Sequence, residues 1–138
     1  MQAVFTLNRF CKSILKTPHL LGAVTEYNID MNNPTLKQLT ELILQQAKEK
    51  GFGTTPEEIN VSEKIALIHS EVSEAYDAYR HNNIKGKDGF EEELGDVIQR
   101  VLHLCGVMQI DVTTKILEKL DSNKDRVWNW NEMNETHS

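Results

Sequence analysis

Cysteine is scarce in this sequence: Cys11 and Cys105 are the only two. Two cysteines are too few for a disulfide framework or for a zinc site built from thiolates. Cys105 falls in an apolar helical stripe, where a free thiol packs as a small hydrophobic side chain. The sequence therefore predicts a reduced, cytoplasmic protein.

Long apolar runs and an excess of positive charge are also missing. No apolar run approaches the roughly 20 residues that span a bilayer, so no membrane partner is expected. The net charge of -6 argues against a nucleic-acid partner, because such domains carry a basic face that neutralises phosphates. An acidic protein can still bind an anionic ligand through a divalent cation. The length of 138 residues, 39% of them hydrophobic, suits one soluble domain.

Acidic residues are absent before Glu26, where Arg9, Lys12 and Lys16 are basic. An acid-free basic start is typical of targeting segments, but these cations interrupt the apolar core that a secretory signal needs. A transit peptide and an extension upstream of a natural start at Met31 are the two alternatives. We favour a loosely attached extension over 1–30, a helical domain over 31–127 and a polar tail over 128–138.

From Pro34 onward, apolar residues recur every three or four positions, which is typical of helices. Strand-like alternation is absent, so the predicted fold class is all-α, resembling a four-helix bundle. Caps and breakers place the helix ends. The first helix is predicted to start at Thr35 and end at Gly51, and the second to start at Ser62 and end at His81. The third should start at Phe90 and be broken or bent at Gly106 and at the step 109–111. Asp111 is the predicted start of the fourth.

The apolar stripes on the second and third helices are broad for so small a domain. Small chains often bury more surface by associating, because little of it can be hidden within one copy. We therefore expect a homodimer or homotetramer packed through these helices. The stripe residues are Ile65, Ile68, Val72, Ala75, Tyr76 and Tyr79 on one helix, and Leu94, Val97, Ile98, Val101, Leu102, Cys105 and Met108 on the other.

Two acid pairs are the most informative pattern. Glu71 and Glu74 are three residues apart on the second predicted helix, as are Glu93 and Asp96 on the third. Residues three apart share a helix face, so antiparallel neighbours can bring the four carboxylates together. Like charges at close range repel, and Mg²⁺ relieves that repulsion while keeping positions for substrate phosphates. The alternative is that acids at a helix start serve the helix dipole on a solvated face.

Three polar residues near the end of the fourth helix recur at spacings of four and three: Lys119, Asn123 and Arg126. A cation, an amide and a guanidinium on one side can bind a polyphosphate. The alternative is the ordinary enrichment of Lys and Arg at helix C-termini. Trp128 and Trp130 in the tail could stack on a base, but an aromatic residue in a tail is more often a packing anchor.

Other kinds of site are excluded by pattern. None of these glutamates has a histidine three residues later, as a di-iron bundle would require. The sequence has no glycine-rich phosphate loop and no cysteine–histidine–acid set for nucleophilic catalysis. The helical His69 and His103 are read as surface or core-edge groups rather than ligands.

Three segments, EKIALIHSEVSEAYDAYR, EEELGDVIQRVLHLCGVMQID and ILEKLDSNKDR, together resemble the MazG-like all-α nucleoside triphosphate pyrophosphohydrolases over about residues 35–127. The family pattern is Glu-x-x-Glu, a spacer, Glu-x-x-Asp and then Lys…Asn-x-x-Arg. The matching residues here are Glu71, Glu74, Glu93, Asp96, Lys119, Asn123 and Arg126.

The resemblance implies an enzyme that hydrolyses a (deoxy)nucleoside triphosphate to the monophosphate and pyrophosphate. The four acids would bind Mg²⁺, with Mn²⁺ as a substitute, and one of them could instead be the general base. Lys119, Asn123 and Arg126 would contact the phosphates. Alternatives are a pyrophosphohydrolase of the phosphoribosyl-ATP type and a non-catalytic helical dimer that binds a nucleotide or a protein.

Two departures from the family pattern bear on these expectations. Ser70 stands where many members have a further glutamate, which leaves the number of metal ions open. Ser122 stands where many have a lysine, which would weaken phosphate binding. In the loop between the second and third helices, Lys85 and Lys87 could close over a substrate, although a solvated linker is the simpler interpretation.

Overall fold

The structure is a computed structural model that describes residues 32–127. Within that range it is all-helical, without strands, as predicted. The segment 1–30 with Cys11 and the tail with Trp128 and Trp130 lie outside the described residues. The helices are α1 (Leu36–Lys50), α2 (Val61–Arg80), α3 (Phe90–Val107) and α4 (Val112–Asn123), and a 3₁₀ turn (Pro56–Glu58) lies between α1 and α2. None of these helices is both long and apolar enough to pass through a bilayer.

Both predicted ends of α1 are confirmed. The Thr35 hydroxyl accepts a hydrogen bond from the Gln38 backbone at 3.2 Å, and the Gln38 side chain accepts one from the Thr35 backbone at 2.8 Å. This reciprocal pair satisfies backbone N–H groups that have no partner within the helix. At the other end, Gly51 adopts a left-handed φ of 74°, which costs glycine nothing because it has no Cβ.

The predicted start of α2 at Ser62 is wrong by two residues. Asn60 caps the helix, and its side-chain oxygen accepts hydrogen bonds from the backbone of Ser62 at 3.0 Å and of Glu63 at 3.4 Å. Asparagine and serine are comparable caps, so residue type alone does not decide between the two positions. The helix ends at Arg80 with His81 as its C-cap, as expected.

Gly106 does not break α3, contrary to the prediction for this position. The helix continues to Val107, and Gln109, with φ of 55°, marks the reversal. Gly106 instead lets α1 approach closely: a Cβ there would lie 2.7 Å from the methyl carbon of Thr40 and 2.9 Å from Leu44 Cδ1. The glycine is therefore a packing residue.

Asp111 caps α4 as predicted. Its carboxylate accepts hydrogen bonds from the backbone of Thr114 at 3.1 Å and from its hydroxyl at 2.8 Å. These bonds lower the pKa of Asp111, because they stabilise the ionised form. The helix ends at Asn123, so Arg126 follows the helix and does not lie on one helical side with Lys119 and Asn123, as the spacing had suggested.

The α2–α3 pair is the main packing unit; α1 packs on α3, and α4 makes a smaller contact with α1. Two contacts show that α2 and α3 are antiparallel. Near the connecting loop, the rings of Tyr79 and Phe90 are 5.5 Å apart, while further along the pair Arg100 on α3 contacts Glu71 on α2. This arrangement brings the two acid pairs to the same level of neighbouring helices.

The buried hydrophobic core of the described region is small: Ala47, Ala75, Ala78, Leu102 and Val107. Much of the predicted stripe on α2 and α3 remains exposed. The exposed apolar residues in the second half of α2, which are Val72, Tyr76 and Tyr79, each follow a buried residue by one position, as Leu94 follows Glu93 on α3. In antiparallel helices this offset turns both sets to the same side. The resulting apolar face consists of Ile65, Val72, Tyr76, Tyr79, Leu94 and Ile98.

Candidate metal centre

Three of the four predicted carboxylates form a compact cluster. Glu71, Glu74 and Glu93 each place a side-chain oxygen within 4.8 Å of the others. Oxygens bound to one Mg²⁺ at about 2.1 Å lie at most about 4.2 Å apart, so the cluster is nearly as compact as a single coordination shell. Carboxylate oxygens are the donors that hard cations such as Mg²⁺ and Mn²⁺ prefer. The donor set therefore fits such an ion.

Two members of this cluster are buried. Glu71 is 7% exposed and Glu93 is 6% exposed, as little as the alanines of the core. Glutamate is almost never buried to this extent unless it is paired or bound to a metal. The burial rules out the solvated helix face that was the alternative for Glu93, although Glu91 and Glu92 in the same helical turn are exposed.

The surroundings of Glu93 favour its neutral form. Burial raises the pKa of Glu93, and the negative charges of Glu74, Asp96 and Glu71 raise it further. A hydrogen bond with the Glu71 carboxylate acts in the same direction, because it is made by the protonated carboxyl. Glu93 therefore holds its proton more tightly than an ordinary glutamate does.

Asp96 lies at the edge of the site. It is exposed and outside the three-carboxylate cluster, but its charge still reaches Glu93. Partial burial and the charge of Glu71 raise the pKa of Asp96, and Arg100 opposes them. Asp96 also lines the neighbouring cavity, so it connects the cluster with the space beside it.

Arg100 is the residue that the sequence analysis missed. Its Nε and one terminal nitrogen both contact Oε1 of Glu71. Arg100 is the only lysine or arginine in α3, and it follows Asp96 by four positions, hence on the same helix face. The sequence did contain a signal for this role: Arg100 is a single cation that follows the acids Glu93 and Asp96 on one helix.

Ser70, the departure from the family pattern, has a structural partner. Its hydroxyl donates a hydrogen bond to Oε1 of Glu74 at 3.1 Å. Glu74 is the exposed member of the cluster, and this bond gives its carboxylate a fixed partner. Ser122 donates a hydrogen bond to the Lys119 carbonyl at 2.9 Å within α4.

A cavity of about 430 Å³ adjoins the cluster, among α1, α2 and α3. Its lining combines apolar side chains, two amides and several charged groups. The volume lies in the usual range for small-molecule sites. The lining residues are Ile43, Gln46, Ala47, Phe52, Glu63, Lys64, Leu67, Asp96, Gln99, Arg100 and His103.

Two hydrogen bonds hold the segment after α1 against this cavity, and a further set lies within the segment. His103 Nε2 lies 2.8 Å from the Gly53 carbonyl, and Lys64 donates to the Phe52 carbonyl at 3.2 Å. The Glu58 carboxylate accepts from the backbones of Thr54 and Thr55, which lowers the pKa of Glu58. His103 is half-buried and also lines the cavity.

The three predicted phosphate-binding residues lie elsewhere. Lys119 and Asn123 are on the last turns of α4 and Arg126 follows it, whereas the cavity lining comes from α1 to α3 and the segment after α1. Their proposed role therefore stays a prediction.

The loop between α2 and α3 is organised around Asn83. Its side-chain amide donates to the carbonyls of Lys87 at 3.0 Å and Asp88 at 3.3 Å, and its side-chain oxygen accepts from the Gly86 backbone at 3.1 Å. Lys85 and Lys87 are exposed and each is close to an acid of the same hairpin, Glu91 at 4.0 Å and Asp88 at 3.6 Å. The loop is an internally bonded connector, which favours the linker interpretation over a closing lid.

Comparison with known proteins gives no independent assignment. No family model, no curated protein and no solved structure matches the chain significantly. The functional interpretation accordingly depends on the site itself.

Proposed function

We propose that this protein is a Mg²⁺-dependent nucleotide pyrophosphohydrolase of the MazG-like kind, which converts a (deoxy)nucleoside triphosphate to the monophosphate and pyrophosphate. The observation that carries the proposal is the cluster of Glu71, Glu74 and Glu93 beside a cavity of about 430 Å³. Two buried glutamates lie together in this cluster, and Arg100 is paired with only one of them, Glu71, so further positive charge at this point is favourable. A divalent cation would supply it.

The four acids would have different roles in binding the metal ion and its water. Glu71 and Glu93, fixed by burial, would hold the ion together with Glu74, which the Ser70 hydroxyl orients. Mg²⁺ or Mn²⁺ at this position would neutralise the phosphates and lower the pKa of a bound water. Asp96, at the edge and open to solvent, is placed either to complete the ligand set or to accept the proton of that water.

The cavity would receive the nucleoside part of the substrate. Its apolar surfaces can cover a planar ring, and the side-chain amides of Gln46 and Gln99 can each donate and accept hydrogen bonds at a base edge. Asp96 and Arg100 lie between this cavity and the cluster, where the phosphates would pass. Lys119, Asn123 and Arg126 are proposed as further phosphate contacts.

The test is pyrophosphate release from a panel of ribo- and deoxynucleoside triphosphates, extended to phosphoribosyl-ATP, in the presence of Mg²⁺. Glu74→Gln and Asp96→Asn should each lower kcat by roughly 100-fold, the scale expected for groups around a catalytic metal. Glu91→Gln removes an exposed charge from the same helix and should be nearly neutral. Equal activity in all four proteins would refute the proposal. Nucleotide binding without turnover would instead establish a non-catalytic binding protein.

We also propose that the apolar face on α2 and α3 pairs with a second copy of the chain, giving a homodimer or homotetramer. Tyr76 is 63% exposed and Ile98 53% exposed, while the core of the described region is small. Tyr76→Glu should dissociate the assembly in light scattering after size-exclusion chromatography, whereas Gln45→Glu on exposed α1 surface should not. A wild-type protein that is monomeric at micromolar concentration would contradict this pairing.

A further inference from the structure

We propose that Arg100 is an exchangeable counter-ion. It neutralises Glu71 while the metal site is empty, and it turns into the neighbouring cavity to bind substrate phosphate when a divalent cation takes its place. This inference rests on the proposed function, because it assumes that the carboxylate cluster binds a divalent cation. It goes further by coupling metal binding to anion binding through one named side chain.

The contact of Arg100 with Glu71 competes with metal binding at one of the two Glu71 oxygens. Two N–H groups of Arg100 point at the same oxygen, Oε1 of Glu71. The two N–H groups take up the two lone-pair sites of this oxygen, and a cation bound to it would lie beside the positive guanidinium. Metal coordination through this oxygen therefore requires Arg100 to leave.

Glu71 nevertheless needs a positive partner at all times. Its side chain is only 9% exposed, compared with 39% for Arg100. Removing one partner from a buried ion pair leaves an uncompensated charge and is strongly unfavourable. The more exposed partner is the one that can move, so the exchange replaces Arg100 by the cation and never leaves Glu71 alone.

The cavity offers space into which the Arg100 side chain can turn. Arg100 already belongs to its lining, and open space of about 430 Å³ lies on that side. A guanidinium presents a planar fork of donors that matches phosphate oxygens. Once released from Glu71, Arg100 would lie beside the metal site, where the phosphates of a bound nucleotide must pass.

The exchange predicts a thermodynamic coupling. Because Arg100 competes with the cation for Glu71, it weakens metal binding when no anion is present. A phosphate that binds the released guanidinium stabilises the metal-bound state, and by linkage the metal strengthens anion binding by the same factor. Metal and polyphosphate would then bind together more tightly than either does alone.

Two titrations test this by calorimetry: Mg²⁺ alone, and inorganic tripolyphosphate with saturating Mg²⁺, which avoids any dependence on the base. In Arg100→Gln, Mg²⁺ alone should bind about tenfold more tightly than in the wild type, and tripolyphosphate at least tenfold more weakly. Arg80→Gln makes the same charge change at the far end of α2, where Arg80 stacks on Tyr76, and should leave both constants unchanged.

A spectroscopic measurement needs only the wild type. The Nε–H resonance of Arg100 should shift towards that of a free arginine on addition of Mg²⁺, and shift again with tripolyphosphate. Mg²⁺ binding that leaves this resonance in place, or equal Mg²⁺ affinity in Arg100→Gln, would overturn the exchange while leaving the proposed metal site intact. Absence of Mg²⁺ binding to the wild type would overturn the proposed function and this inference with it.

Discussion

The two glycines of α3 allow a matched test of how the helices pack. Gly95 and Gly106 both lie inside the helix, yet their surroundings differ. A Cβ at residue 95 would meet nothing within 4 Å, whereas one at residue 106 would lie 2.7 Å from Thr40 Cγ2 and 2.9 Å from Leu44 Cδ1. The same substitution, glycine to alanine, should therefore change stability in opposite directions at the two positions.

The magnitudes follow from two effects. Replacing glycine by alanine in a helix interior is favourable by about 1 kcal/mol, and at Gly95 nothing opposes this gain. At Gly106 the overlap with α1 should cost about 2–3 kcal/mol, because the Thr40 hydroxyl is hydrogen-bonded to the Leu36 carbonyl at 2.8 Å and its methyl cannot rotate away freely. The net loss for Gly106→Ala is about 1–2 kcal/mol.

Thermal and urea unfolding of the metal-free protein would measure both changes. For a domain of this size, 1 kcal/mol shifts Tm by about 4–8 °C, so the two variants should melt about 8 °C or more apart, with the wild type between them. If Gly106→Ala were as stable as Gly95→Ala, the close approach of α1 to α3 would be refuted. A loss of stability in Gly95→Ala would show that its open side is covered, for example by another copy of the chain.

Three further predictions concern the caps and the carboxylates. Asn60→Ala should lower stability by about 1 kcal/mol in urea unfolding, because it removes the cap of α2, whereas an unchanged midpoint would refute the capping role. Because the pKa of Glu93 is raised above its ordinary value of 4.5, the metal-free folded state binds the Glu93 proton more tightly than the unfolded chain does. Its stability should fall as the pH rises from 4.5 through the raised pKa. Glu93→Gln should then raise Tm near pH 7 and leave it unchanged near pH 4. A Tm difference that does not depend on pH would count against this view of Glu93. Mg²⁺ binding should displace the Glu93 proton. The affinity for Mg²⁺ should therefore weaken up to tenfold per pH unit below the raised pKa of Glu93. Binding heats that are the same in buffers of different ionisation enthalpy would contradict this release of a proton.

Local rules were sufficient for most helix ends. Thr35 with Gln38, Gly51 and Asp111 each make contacts within a few residues of themselves, so the sequence alone carries the information. Ser62 was misplaced because two good capping residues lie two positions apart, and only the backbone direction before the helix decides between them.

Tertiary contacts account for the remaining differences. The role of Gly106 depends on how closely α1 approaches, and the partner of Arg100 depends on the register between α2 and α3; neither is a property of local sequence. The acid pairs could be predicted as neighbours from their spacing. The separation of Asp96 from the other three, and the burial of Glu71 and Glu93, required the positions of the helices.

The loop organised by Asn83 has a consequence for how this protein can vary. Surface loops usually accept insertions and deletions, but this one fixes how far α3 is displaced along α2, and so which carboxylates face each other. One added residue between Asn83 and Gly89 would leave both helices intact while breaking the bonds that Asn83 makes to Gly86, Lys87 and Asp88. Length changes in this loop should therefore yield folded proteins in which the carboxylates of α2 and α3 no longer face each other. Random insertion mutagenesis, scored separately for folding and for Mg²⁺ binding, would identify this loop as the segment where insertions abolish only Mg²⁺ binding.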